Sequence, residues 1–210
     1  TLQPSAGSQG EFVGLLIMQK YHKKNPKKRY IIIPESAHGT NPASVILAGF
    51  EVIQIGTNED GCVDINDLKS KINDQVAGMM LTQPNTLGIF EKDIKLISKM
   101  IHDVDGLLYM DGANLNAMLG LCRPADMGFD IVHMNVHKTF STPHGGGGPG
   151  AGPIGVVKKL AKYLPYPVIT KHSDTFKLNY NHKKKSIGKI HSFFGNTGVL
   201  VRAYCYIKSL

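Results

Sequence analysis

The stretch from Val76 to Ala113, VAGMMLTQPNTLGIFEKDIKLISKMIHDVDGLLYMDGA, decides the fold class. Two short apolar runs, Val76–Leu81 and Gly106–Met110, flank a helical period over Glu91–His102. Strand, helix and strand at this spacing encode a βαβ unit, whose two strands lie parallel. The alternation continues upstream. Glu11–Lys20 reads as a helix, Tyr30–Ile33 as a buried strand and Glu51–Ile55 as another strand. Between those strands, Asn41 is expected as N-cap and Pro42 as the first residue of a helix running to about Ala48, with Gly49 ending it. Asp64 caps a further helix to Lys71. Downstream, Ile131–Met134 and Ile154–Val157 are apolar strands. The expected class is α/β, a mostly parallel sheet flanked by helices. Ligands in such sheets bind beyond the carboxyl ends of the strands. His38, the segment Thr82 to Asn85, Asp111 and Lys138 each follow a predicted strand.

The bulk properties agree with a globular α/β chain. Its 210 residues are 42% hydrophobic and 19% charged, with 23 glycines and 11 prolines, which excludes collagen-like, disordered and disulfide-scaffold classes. The longest apolar stretch, Val13 to Met18, falls far short of the roughly 20 residues of a membrane span. Cys62, Cys122 and Cys205 are widely spaced and form no C-x-x-C pair, so free thiols in a reducing compartment are expected. The net charge of +8 is concentrated at Lys20–Arg29 and Lys177–Lys189. Both are broken by Asn or His and read as solvated connections; no nucleic-acid module is recognisable in them. The start, Thr1-Leu2-Gln3-Pro4, has neither a Met nor a signal-peptide pattern and reads like the middle of a longer chain, as does the end at Leu210.

Five segments carry chemistry. Asn135-Val-His-Lys-Thr139 is followed by His144-Gly-Gly-Gly-Gly-Pro-Gly-Ala-Gly-Pro153. The glycine run formally matches G-x-G-x-x-G from Gly145 to Gly150, but it neither follows a strand nor opens a helix, so a Rossmann site is not encoded. Asp111 at a strand end suits a metal ligand, an N-cap or the partner of a buried cation. With Lys138 it also suits pyridoxal phosphate, which needs a lysine for the Schiff base and an acid for its pyridine nitrogen; Ala113 would leave room for the ring. Gln3 to Glu11, QPSAGSQGE, places small residues before a helix, where backbone N–H groups receive an anion and the Ser8 hydroxyl adds to them. Pro34 to Ala43 contains His38 in a turn-rich loop, and Thr82 or Asn85 is placed to bond a cofactor's phenolic oxygen. His133 and His137 lie four apart without the glutamate of the zinc-protease pattern H-E-x-x-H, so no metal site is expected.

Together these segments resemble the pyridoxal-phosphate P-protein of the glycine cleavage system, glycine dehydrogenase (decarboxylating). The carrying strings are AGSQGE, IPESAHGTNPAS, LTQPNTLGIFE, MDGANLNA and NVHKTFSTPHGGGGPGAGPIGV, in order along the chain. STPHGGGGPGAGP is most similar to subunit 2 of the two-subunit bacterial form. The resemblance implies a fold-type I enzyme in which Lys138 carries the Schiff base and Asp111 pairs with the pyridine nitrogen. It implies that His38 and Ala113 lie on opposite faces of the ring, that Gly7 and Ser8 hold the phosphate, and that Thr82, Asn85 and His137 line the pocket. Lys138 and His38 would handle protons. The implied reaction is decarboxylation of glycine, with the aminomethyl group passed to the lipoyl arm of the carrier H-protein. The implied assembly is a two-by-two heterotetramer with P-protein subunit 1, cytoplasmic in bacteria or mitochondrial in eukaryotes, with no nucleic acid or membrane. Residues 1–165 would form most of the cofactor-binding large domain, and 166–210 the connection toward a C-terminal domain. Gln83, where Asn is usual, and the surroundings of His191-Ser192 depart from the family pattern. The alternatives are another fold-type I enzyme, a decarboxylase or a desulfurase-like protein, and a non-catalytic basic binding domain.

Overall fold

The computed structural model describes residues 1–144, 147–181 and 183–210. Six strands form one sheet: β1 (Tyr30–Pro34), β2 (Glu51–Ile55), β3 (Val76–Thr82), β4 (Leu107–Gly112), β5 (Ile131–Met134) and β6 (Ile154–Val156). Their order is β2-β1-β3-β4-β5-β6; the first five are parallel and β6 runs antiparallel to β5. Both faces are covered, because alternate side chains of the apolar runs enter two different cores. Ile31, Ile33, Met80, Leu107 and Tyr109 pack with α1 (Gly7–Tyr21) and α2 (Thr40–Leu47). Ile32, Met79, Leu81, Leu108 and Met110 pack with α4 (Ile94–Asp103) and with Leu68 of α3 (Ile65–Lys71). Asp64 caps α3 as expected, accepting from the N–H groups of Asn66 and Asp67.

Three local expectations change. Helix α2 starts at Thr40 with Gly39 as its cap, so Asn41 and Pro42 lie inside the first turn. Starting two residues earlier than expected, the helix takes Asn41 into its first turn, where the side chain is fully buried. The basic stretch Lys20–Arg29 is only partly solvated: Lys28 is buried, and its ammonium donates to the Val76 carbonyl at 2.9 Å and to that of Val104. These carbonyls offset the cost of removing the charge from water. The second basic stretch begins within a hairpin, β7 (Val168–His172) and β8 (Thr175–Asn179), rather than in an irregular connection.

Helix α1 lies unusually close to the sheet. A Cβ on Gly14 would stand 2.1 Å from the Tyr109 ring, and one on Gly10 would be 3.0 Å from the Cβ of His133. Spaced by four, the two glycines share one helix face. Gly14→Ala should therefore destabilise the full-length protein by about 2 kcal/mol, the overpacking cost less the gain in helix propensity. An unchanged thermal midpoint would show that the contact can relax. The short helix α5 (Val136–Thr139) follows β5, and α6 (Thr197–Ser209) packs Val199 and Ala203 against Val136 and Ala151.

Candidate active site

The carboxyl ends of β1, β4 and β5 and the N-terminus of α1 meet around a cavity of about 240 Å³. Gly7, Ser8, His38, Asp111, Ala113, His137 and Lys138, seven of the nine residues singled out from the sequence, line it. The other two lie elsewhere. Thr82 and Asn85 line a separate small space with Ser36 and Glu91. Asn85 is occupied as a turn organiser: its amide donates to the Gly61 carbonyl at 2.8 Å, and its oxygen accepts from the N–H groups of Leu87 and Ile89. Gln83 points away from the main cavity, bonding the backbone of Glu91 through both ends of its amide. Of the glycine run, Gly145 and Gly146 lie outside the described residues.

Each side chain reaches the cavity for a local reason. Ala6 caps α1 without a side-chain bond, so the first N–H groups of the helix remain open beside Gly7 and Ser8. Gln9 braces the turn instead, accepting from the Ser5 N–H at 2.7 Å. Asp111 lies one residue before the end of β4, where its Oδ1 accepts from the Ala113 N–H at 2.9 Å and its Oδ2 from the Asn41 amide at 3.0 Å. Helix α5 is a single turn, and Lys138 projects from it into the cavity. Asn196 ties this region to the helix α1 turn, donating to the carbonyls of Gly150 at 2.6 Å and Ser5 at 3.3 Å.

Several lining residues escaped the sequence reading. Glu11 is buried on α1 and accepts from the hydroxyls of Thr40 and Ser44, each at 2.9 Å. Thr40 also meets His38: its backbone N–H donates to His38 Nδ1 at 3.1 Å, and its hydroxyl oxygen lies 2.8 Å from the same nitrogen. The buried carboxylate thus holds α2 to α1 and fixes the histidine loop. His144 joins the wall through its ring, centred 3.8 Å from that of His137. Burial, then the charges of His144, Lys138 and His133, pulls the His137 pKa down to about 4, so its imidazole is neutral at physiological pH. The available signals were weak: Glu11 closes the string AGSQGE, and Asn135 opens the lysine motif.

Glu11, Asp111 and His133 each bring a ligand-capable atom within 4.8 Å of the others. Both Glu11 oxygens are taken by hydroxyls and both Asp111 oxygens by amides, so these groups serve a hydrogen-bond network. The cavity still has unmet polar capacity. Among the described residues, Asn135 Oδ1 and His137 Nδ1 are buried and lack partners in a wall that also holds an amine, a carboxylate and an open helix N-terminus. A flat ligand with an anionic group, a ring nitrogen and an electrophilic carbon fits that donor set.

Known proteins share both sequence and shape with this chain. The family described as glycine cleavage system P-protein matches residues 6–179. A probable glycine dehydrogenase (decarboxylating) subunit 2 of Alkaliphilus oremlandii is 59% identical over all of this chain and 43% of its own length. One of Thermosipho africanus is 60% identical, again over the whole chain and 44% of the relative. The chain thus spans less than half the length of these curated relatives. Among solved structures, a glycine decarboxylase (P-protein) of the glycine cleavage system in inhibitor-bound form has a TM-score of 0.78 at 18% identity, over 99% of this chain and 48% of that one. A cysteine desulfurase of Escherichia coli has a TM-score of 0.71 at 15% identity, over 99% of this chain and 51% of its own. The architecture is that of the fold-type I pyridoxal-phosphate enzymes. By the family match and by close relatives along its entire length, the chain belongs to the glycine cleavage system P-protein family.

Proposed function

We propose that the protein containing this chain is a pyridoxal-phosphate-dependent glycine decarboxylase that passes the aminomethyl group to a lipoylated carrier protein. The carboxyl carbon leaves glycine as carbon dioxide, the remaining carbon forms a bond to one lipoyl sulfur, and the disulfide is reduced as it opens. The observation that carries this function is the convergence of Lys138, Asp111 and the uncapped start of α1 on one cavity. When bound, pyridoxal phosphate supplies an aldehyde that links covalently to amines and a protonated ring that accepts the electron pair of a breaking bond.

The chain's own residues divide the remaining work. The N–H groups at Gly7 and Ser8 would hold the phosphate, aided by the helix dipole. Asp111 would pair with the ring nitrogen through a carboxylate whose orientation is set by Ala113 and Asn41. Ala113 and His38 both line the cavity and would take opposite faces of the ring, and the neutral His137 adds polar capacity without charge. Lys138 provides the attaching amine and, once released, a group to move protons, a task His38 shares. Asn85, which shares a separate space with Thr82, holds the neighbouring turn.

The names of the curated relatives support a second, different subunit, and we infer a two-by-two assembly in the bacterial cytoplasm. No helix among the described residues is long and apolar enough to cross a membrane. A desulfurase reading would need a mobile cysteine, and none lines the cavity among the described residues. The test is exchange of labelled bicarbonate into the carboxyl group of glycine by the full-length protein with its partner subunit. Exchange should require pyridoxal phosphate and be stimulated by lipoylated carrier. Its absence with all components present rejects this function.

A further inference from the structure

Tyr109 and His133 are fully buried beneath α1, next to the cavity but outside its lining. The parallel register pairs Asp111 with His133, and Tyr109 lies two residues before Asp111 on the same face of β4. Tyr109 Oη is 2.7 Å from His133 Nδ1, and His133 Nε2 is 3.3 Å from Asp111 Oδ1, a close electrostatic contact that does not complete a hydrogen bond. Burial, with Asp111 and Glu11 nearby, raises the Tyr109 pKa well above its ordinary value, so the phenol keeps its proton.

That proton assigns the histidine tautomer. Among the described residues the one hydrogen-bond partner of Tyr109 Oη is His133 Nδ1, so the phenol donates and Nδ1 accepts. The ring proton then sits on Nε2, facing the carboxylate. The opposite tautomer would strand the phenolic proton in the core and set a nitrogen lone pair against a carboxylate oxygen, two costs with no compensation. A doubly protonated ring would strand the phenolic proton as well. Gly10 and Gly14 bring the backbone of α1 directly over these two side chains, which fixes their positions and keeps water out.

Resting on the function proposed above, we propose that Tyr109 and His133 form a positioning relay for Asp111. The phenol sets the tautomer, so the imidazole presents its Nε2–H edge to Oδ1 and supports electrostatically the carboxylate that the Ala113 N–H and the Asn41 amide hold toward the place of the cofactor's ring nitrogen. Neither Tyr109 nor His133 touches the cofactor.

The test uses the full-length protein and two readouts. In histidine-labelled apoprotein, nitrogen-15 imidazole shifts, assigned by the signal lost in His133→Gln, should show His133 protonated at Nε2 alone. A signal protonated at Nδ1 overturns the relay. In equilibrium dialysis, Tyr109→Phe should weaken binding of pyridoxal phosphate about tenfold, and His133→Leu should weaken it more than His133→Gln, which keeps a donor. In an Asp111→Asn background Tyr109→Phe should cost nothing further, since its effect passes through that carboxylate. Additive losses would make Tyr109 a packing residue only and overturn the proposal. Unsubstituted protein that binds no pyridoxal phosphate would overturn the function instead, and the relay is then judged on the nitrogen signal, which needs no cofactor.

Discussion

Lys138→Ala in the full-length protein should abolish covalent attachment of pyridoxal phosphate and lower carboxyl exchange by on the order of a thousandfold or more. Borohydride treatment of the unsubstituted protein should fix the cofactor on a peptide containing Lys138, detectable by mass spectrometry; the variant should yield no such peptide. The expectation follows from position: Lys138 is the amine on the single turn after β5 that reaches the cavity wall. Lys138→Arg separates charge from nucleophilicity. It retains the cation but cannot lose the proton that attachment requires, so it should be as inactive as the alanine variant. A peptide fixed elsewhere in the variant would move the assignment to another lysine.

Asp111→Asn should lower exchange by roughly a hundred- to a thousandfold, the range for losing one aimed electrostatic group, while leaving attachment at Lys138 intact. The split distinguishes the two residues: one is needed for the bond to the cofactor, the other for the charge on its ring. The fold should tolerate the change. The new amide can keep its oxygen toward the Ala113 N–H and turn its NH2 group toward Asn41, whose own Oδ1 is buried without a partner among the described residues and becomes available by rotation of the amide. Equal loss of attachment and exchange would instead make Asp111 a scaffold for the pocket.

Much of the fold was legible because its signals are local. Apolar runs such as Val76–Leu81 and Leu107–Met110 lie buried on both faces of a parallel sheet, so they stand out without reference to any partner. Asp64 caps its helix with its own side chain, a bond spanning three residues. Asn41 was misread because the helix is capped two residues before it, at Gly39, and its side chain is taken by the distant Asp111 rather than by the helix end. Asn85 and Thr82 follow a strand as ligand residues do, yet the turn after β3 consumes Asn85 in holding its own backbone. Lys28 looked solvated because the carbonyls that receive it belong to residues 48 and 76 positions away.

By itself the sequence determined the α/β class, the strands and the residues at their carboxyl ends, Asp111, Ala113 and Lys138 among them. Parallel strands bring those ends to one edge wherever they stand in the chain order, so the candidates could be named without knowing their distances. Only the tertiary structure decided which of them share a cavity, and which silent neighbours support them. Glu11 meets Thr40 through the approach of two helices, and His133 meets Asp111 through a strand register, contacts set by packing across 29 and 22 residues rather than by any local pattern.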